Sequence, residues 1–259
     1  MPRRVLALVA ILGTLAVIAC QGAPAAPPIS DPKEILAKTV LSLKDVKTVD
    51  VRGELTGTAL VGGTGTLDLK GTTIDLAADI PAKKAKLSLS APSLLGTSAD
   101  AIVLDTIAYY KIAGPFAAMI GADPTGKYTK TDLPEASGEP GDVASDPLKA
   151  IEELRAQLDK LPTAPTKLAN ESCGNQDCYH VFLTLTDQDL AAMDPQATPS
   201  STPFTLNVDI FSRTNDLRPA RLVMAVEAAP VGTVTLTFNL TYDRSVSIEA
   251  PSADQIVGL

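Results

Sequence analysis

The chain has 259 residues, with 22 Lys and Arg against 30 Asp and Glu and a formal net charge of −8. That acidic balance excludes electrostatic capture of nucleic acid and electrostatic docking on an anionic membrane. Tryptophan is absent and aromatics make up 4% of the residues, so the core is aliphatic, favours β-strands, and offers few rings on which sugars or nucleobases could stack.

The first elements lie at the N-terminus. Arg3 and Arg4 precede the unbroken apolar run Val5 to Ala19, which ends in Val17-Ile18-Ala19-Cys20. A membrane-spanning helix needs about 20 such residues, so the run suits the core of a secretory signal. Aliphatic, small residue, then cysteine resembles the lipobox of bacterial lipoprotein signals, in which the thiol takes a diacylglyceryl group and the chain is cut just before it. Cys20 is thus the expected acylated N-terminus; the competing reading is a transmembrane anchor with an incidental cysteine. Residues 1–19 are assigned to the signal. The Ala/Pro/Gly-rich residues 20–30 form a tether, and residues 31–259 form a single domain.

The domain opens with a helix. Asp31 caps it, Pro32 fits its first turn, Glu34 follows three residues after the cap, and Leu36, Val40 and Leu43 share a face. From Thr48 the period becomes two. VDVRGELTG, GTGTLDLKG, TTIDLAADI, KAKLSLSA, a hairpin in AIVLDTIAYYKI turning near Asp105-Thr106, and KYTKTDL read as strands. Between them, Phe116, Met119 and Ile120 in GPFAAMIGAD are apolar where a loop should be polar. They form either a short packed helix or an apolar lip at a cavity or membrane contact. GADPTGKY nearly matches a phosphate-binding loop, but Tyr128 replaces the hydroxyl residue that would hold magnesium and no amphipathic helix follows, so it reads as a turn.

After the Gly/Pro-rich Pro134 to Pro147 a second helix is expected, capped by Asp146 and striped by Ile151, Leu154, Leu158 and Leu161, with Pro162 ending it. CGNQDC holds Cys173 and Cys178 about a Gly/Asn turn, which suits a disulfide clipping a hairpin in an exported chain. The alternative is a metal site with His180, the only histidine, but no fourth ligand is near in sequence. CYHVFLTLT, FTLNVDIFS, RPARLVMAVEA, GTVTLTFNLTY and SVSIEAP complete the strands, with a helical turn in DQDLAAMDP. Asp75, Asp79 and Asp209 fall on polar strand faces as solvated charge. No G-x-S-x-G or H-E-x-x-H occurs; no enzyme, cofactor or metal is expected.

In FTLNVDIF, Leu206, Val208 and Ile210 share one face; in GTVTLTFNLTY, Val234, Leu236, Phe238 and Leu240 share one face opposite a row of Thr and Asn. Such strands belong to an antiparallel sheet with one wet and one apolar face. Two helices either cover that apolar face as ordinary core or leave part of it as a cavity, and periodicity leaves both open.

Lipobox, tether, opening helix into VKTVDVRGEL, paired strands around TIAYYKI and GKYTKTDL, a helix beginning DPLKAIEEL, then TNDLRPARLVM and VSIEAP: this layout over the mature chain resembles the LppX/LprAFG lipoproteins, themselves similar in structure to the LolA/LolB carriers. The resemblance implies an α+β fold, a curved antiparallel half-barrel with helices on its concave side enclosing a hydrophobic cavity. It also implies a lipid or lipoglycan ligand, an acyl anchor on the outer face of the cell membrane, carriage of the ligand toward the cell surface, and no catalysis. Seven residues then become cavity-wall candidates: Leu206, Val208, Ile210, Val234, Leu236, Phe238 and Leu240. The chain departs from the familiar pattern in the Cys173–Cys178 turn and in Tyr128, where a tryptophan is frequent. The rival class is a ligand-free envelope module that binds or regulates a partner.

Overall fold

The computed structural model describes residues 28–61, 65–115, 117, 123, 125–133, 147–193, 202–229 and 232–257. Helix α1 (Pro32–Leu41) starts as its sequence dictates: the Asp31 carboxylate accepts from the Lys33 N–H at 2.9 Å and proline occupies the first turn. A 3-10 turn, Ser42–Asp45, leads into the sheet. The first strands are β1 (Thr48–Val61), β2 (Gly65–Asp68), β3 (Thr72–Asp79), β4 (Lys84–Ala91), β5 (Thr97–Leu104), β6 (Ile107–Ala113) and β7 (Thr129–Asp132). Helix α2 (Pro147–Leu158), β8 (Thr166–Lys167), β9 (Glu171–Cys173), β10 (Gln176–Thr186), helix α3 (Asp187–Met193), β11 (Thr205–Arg213), β12 (Pro219–Ala228) and β13 (Gly232–Tyr242) follow. The expected α+β class therefore holds: one large open antiparallel sheet with a few helices.

Its order is β7-β6-β5-β4-β3-β1-β13-β12-β11-β10-β8, with β2 paired to β1 and β9 to β10. The first and last long strands are neighbours at its centre, Val49 pairing with Tyr242 and Leu55 with Leu236. Beyond Gly57 the strand β1 leaves β13 and pairs with β2. Gly57 makes this possible at φ 105°, because a Cβ there would meet the Thr233 carbonyl oxygen at 2.1 Å.

Register carries the apolar positions into continuous rows. Val181, Ile210, Leu222, Phe238, Gly53, Ile74, Leu89, Ala99 and Ile112 face each other in turn across nine strands. The side on which they lie is the inner face, since α1 packs there. Ile35 and Leu36 join Tyr179, Val181, Leu183 and Val208 in a buried cluster, with Leu158 and Leu161 against it. α2 packs on α1, although Leu154 of its predicted stripe is 44% exposed.

A second cluster lies on the opposite, outer face. Ile102 and Tyr109 pack with Tyr128, Ile248 and Ile256. This corrects the reading of SVSIEAP as a sheet strand. Residues 245–251 have no regular structure; they cross the outer face as a strap whose alternation buries Val246 and Ile248. The strap ends in a short parallel bridge between Tyr128 and Ile256.

Candidate functional site

The inner face is the candidate site, and it is divided by what covers it. All seven wall candidates lie on this one face by register: Leu206, Val208 and Ile210 on β11, and Val234, Leu236, Phe238 and Leu240 on β13. Val208 is buried in the α1 cluster, and Leu206 and Ile210 pack against it. These three positions form closed core under the helix. The four β13 residues are half-buried, at the border of the cover.

Beyond β13 the apolar face continues over β1 and β3 to β6. Val51, Leu240, Leu76, Leu87, Ala101 and Tyr110 make one row, and Leu87 and Tyr110 remain 38% and 41% exposed. Near the centre Gly53 lies beneath Phe238: a Cβ there would meet the ring at 2.8 Å. The ring therefore lies over Gly53, against the sheet, instead of standing up from it. The pattern of alternating residues in β4 to β6 carried this half of the face, but periodicity alone does not say which end of a sheet a helix covers. Cys20, Phe116, Met119 and Ile120 lie outside the described residues.

Polar contacts gather around Tyr242, at the end of β13 on the inner face. The Tyr242 hydroxyl donates to the Pro219 carbonyl at 2.8 Å, and burial raises its phenol above the ordinary value despite Arg213 and Arg218 beside the ring. Arg218 also pairs with Asp243.

The expected disulfide is present. Cys173 and Cys178 join β9 to β10 across the Gly174 turn, their Cα atoms 6.0 Å apart. The hairpin it clips holds Glu171 against the outer face. There His180 Nε2 lies 2.7 Å from Asp209 Oδ1, and Glu171 Oε1 stands 3.1 Å from Nδ1, which has no hydrogen-bond partner. The imidazole stacks on Phe211 at 4.2 Å, and Arg221 covers that ring at 3.8 Å while reaching Glu171 at 3.3 Å. Asp209 is thus a histidine partner and not the solvated charge read from its strand position. Direct register pairs His180 with Phe211 and Phe211 with Arg221, a relation that needs the strand order and is invisible in the sequence. The packed rings hold the imidazole in place. Among the described residues no group of three or more His, Cys, Asp or Glu side chains is arranged to hold a metal ion, and no helix is long and apolar enough to cross a membrane.

No protein-family model matches the sequence, and no curated protein sequence does. Solved structures are similar in fold. Lipoprotein LppX from Mycobacterium tuberculosis aligns with a TM-score of 0.50 and 12% identity over 84% of this chain and 98% of its own. LprF from Mycobacterium bovis aligns with a TM-score of 0.50 and 15% identity over 88% of this chain and all of its own. The likeness predicted from layout therefore holds at the level of architecture: the chain has the fold of the LppX and LprF lipoproteins.

Proposed function

We propose that this chain is an envelope lipoprotein, anchored through Cys20, that binds the acyl chains of a lipid or lipoglycan on the inner face of its sheet and carries it toward the cell surface. One observation carries the reading. The apolar face spans nine strands, while the α1 cluster covers the β10–β12 side, leaving Leu87 and Tyr110 at the other end substantially exposed. Large exposed apolar area is costly unless something occupies it, and an acyl chain gains about 0.8 kcal/mol per buried CH₂. The fold shared with two lipoproteins and the lipobox-like Val17-Ile18-Ala19-Cys20 support an extracytoplasmic, lipid-anchored location. The test is mass spectrometry of organic extracts from the purified protein. Stoichiometric acylated lipid is expected; its absence, together with failure to take up lipid from detergent, would leave the ligand-free partner-binding module.

A further inference from the structure

β7 is an edge of the sheet, and its hydrogen bonds fix which backbone groups face outward. The Leu133 N–H donates to the Thr106 carbonyl, so the odd-numbered residues turn their N–H and C=O groups toward β6. The Tyr128 N–H donates to the Gln255 carbonyl, and the Tyr128 carbonyl accepts from the Val257 N–H. The even-numbered residues therefore point away from β6. The strap takes that side at Tyr128, while among the described residues no strand lies beside Lys130 and Asp132. Lys130, Thr131 and Asp132 are all exposed. Such an edge is a template for another strand.

Charge decides which strand fits. Lys130 pairs with Tyr109 and Asp132 with Ile107, so both side chains lie on the outer face. Among the described residues neither is in an ion pair. A second copy running antiparallel about a two-fold axis at Thr131 sets Lys130 opposite the partner's Asp132, and Asp132 opposite the partner's Lys130. Lysine on an edge ordinarily guards it, because a strand pairing with itself brings like charges together. Here the neighbouring registers are the guarded ones. An axis at Lys130 opposes two lysines and sends Asp132 against Tyr128, where the strap already sits. An axis at Asp132 opposes two aspartates and sends Lys130 against Pro134, which has no N–H. With the axis at Thr131, the outward N–H and C=O of both residues are bonded in both copies.

We infer that β7 is a self-association edge, at which two copies of this chain join in the Thr131 register and their sheets run on as one. The axis stands perpendicular to the sheet, so both inner faces open to the same side and adjoin through Thr129 and Thr131, which share the face of Tyr110 and Ala108. The strand is 4 residues long, so the contact is small and weak in dilute solution. It gains strength where chains are confined to one plane, as an acyl anchor at Cys20 would confine them. The pairing itself needs no lipid in the inner face.

Cross-linking on the axis tests the register. Thr131 would face the partner's Thr131 as a non-hydrogen-bonded pair, with Cα atoms about 4.5 Å apart, within reach of a disulfide. Cys173 and Cys178 are bonded to each other, so in a Cys20→Ser chain Thr131→Cys supplies the one free thiol. Mild oxidation of the concentrated protein should give a covalent dimer on a non-reducing gel. Ser90→Cys, exposed on the outer face of β4 and away from any edge, should give none. Adding Lys130→Asp to Thr131→Cys should cut the dimer yield about fivefold, because each cross-strand attraction becomes a repulsion. Adding Lys130→Asp and Asp132→Lys together should restore it, since the exchanged charges again meet opposite partners. A Thr131→Cys yield no higher than that of Ser90→Cys, an unchanged yield with Lys130→Asp, or no recovery in the charge exchange overturns the edge pairing. Lipid extraction plays no part in this readout, so the lipid-binding reading stands or falls separately.

Discussion

The hydroxyls of Thr39 and Ser212 meet 2.7 Å apart in the interior, joining α1 to β11. The Thr39 hydroxyl also lies 2.8 Å from the Ile35 carbonyl. A hydroxyl has one proton, so Thr39 gives its own to Ile35 and accepts from Ser212. Ser212 is fully buried, and the helix is thus positioned over the apolar face by a polar pin. Thr39→Val should strand the Ser212 hydroxyl and cost about 1–3 kcal/mol. Ser212→Ala leaves Thr39 its carbonyl partner and should cost less. The double variant should be more stable than the two single losses summed, measured by urea denaturation; strict additivity would show that the pair is uncoupled.

Enlarging a residue should separate covered from open parts of the inner face. Val208→Phe adds atoms beneath α1 and should overpack the cluster, lowering stability by about 1–3 kcal/mol. Ala101→Phe, between Leu87 and Tyr110, should cost under about 1 kcal/mol because open space takes the ring, yet should lower the lipid recovered on extraction. Equal destabilisation by both would mean that the β3–β6 half is also closed.

Cleaving the Cys173–Cys178 bond should have a modest effect. Its loop is short, so Cys173→Ala with Cys178→Ala should cost about 2 kcal/mol in the chain-entropy account. The loss should appear locally, as faster amide exchange in β9 and around Glu171. Alkylation of the unreduced protein should find no free thiol at either position.

Acid should weaken the fold through named carboxylates. Hydrogen bonding from Arg218, then from the Lys47 N–H, holds Asp243 below the ordinary carboxylate value, and the Thr186 N–H and hydroxyl do the same for Asp189. A depressed folded value contributes stability that is complete above the unfolded pKa and is lost as pH falls through the folded one. The urea midpoint should therefore drop below about pH 4, and Asp243→Asn should flatten that limb. Lys111 behaves oppositely: burial alone would lower it, but Asp100 and Tyr128 more than offset this and raise it. Its contribution should fade only in strong alkali, beyond the ordinary lysine value.

Cys20→Ser should abolish acylation and leave the chain unprocessed or released, read by fractionation and intact mass. Normal processing with unchanged membrane attachment would remove the lipobox reading.

Local signals in the sequence reached the local structure. The Asp31-Pro32 start, the Asp105-Thr106 turn, the CGNQDC clip and the alternation of β11 and β13 each depend on residues within a few positions of one another, and each is found. Relations made by strand order were not legible. SVSIEAP alternates as a strand does, yet the β1–β13 pairing and its neighbours give it no sheet position, and it packs across the outer face instead. Asp209 reads as solvated until β10 brings His180 beside it. The wall candidates were grouped on one face by period, but which of them α1 covers depends on where the helix lands.

The pairing of β1 with β13 has a kinetic consequence. Val49 cannot meet Tyr242, nor can the strap reach Ile102 and Tyr109, until nearly the whole chain has been made. Loop closure over such a separation is slow. The β1 and β3–β6 hairpins can form early, but β1 lacks its β13 partner, and β5–β6 their outer brace, until the last residues emerge. The centre of the sheet, where the two halves join, is therefore the last part of this topology that can close.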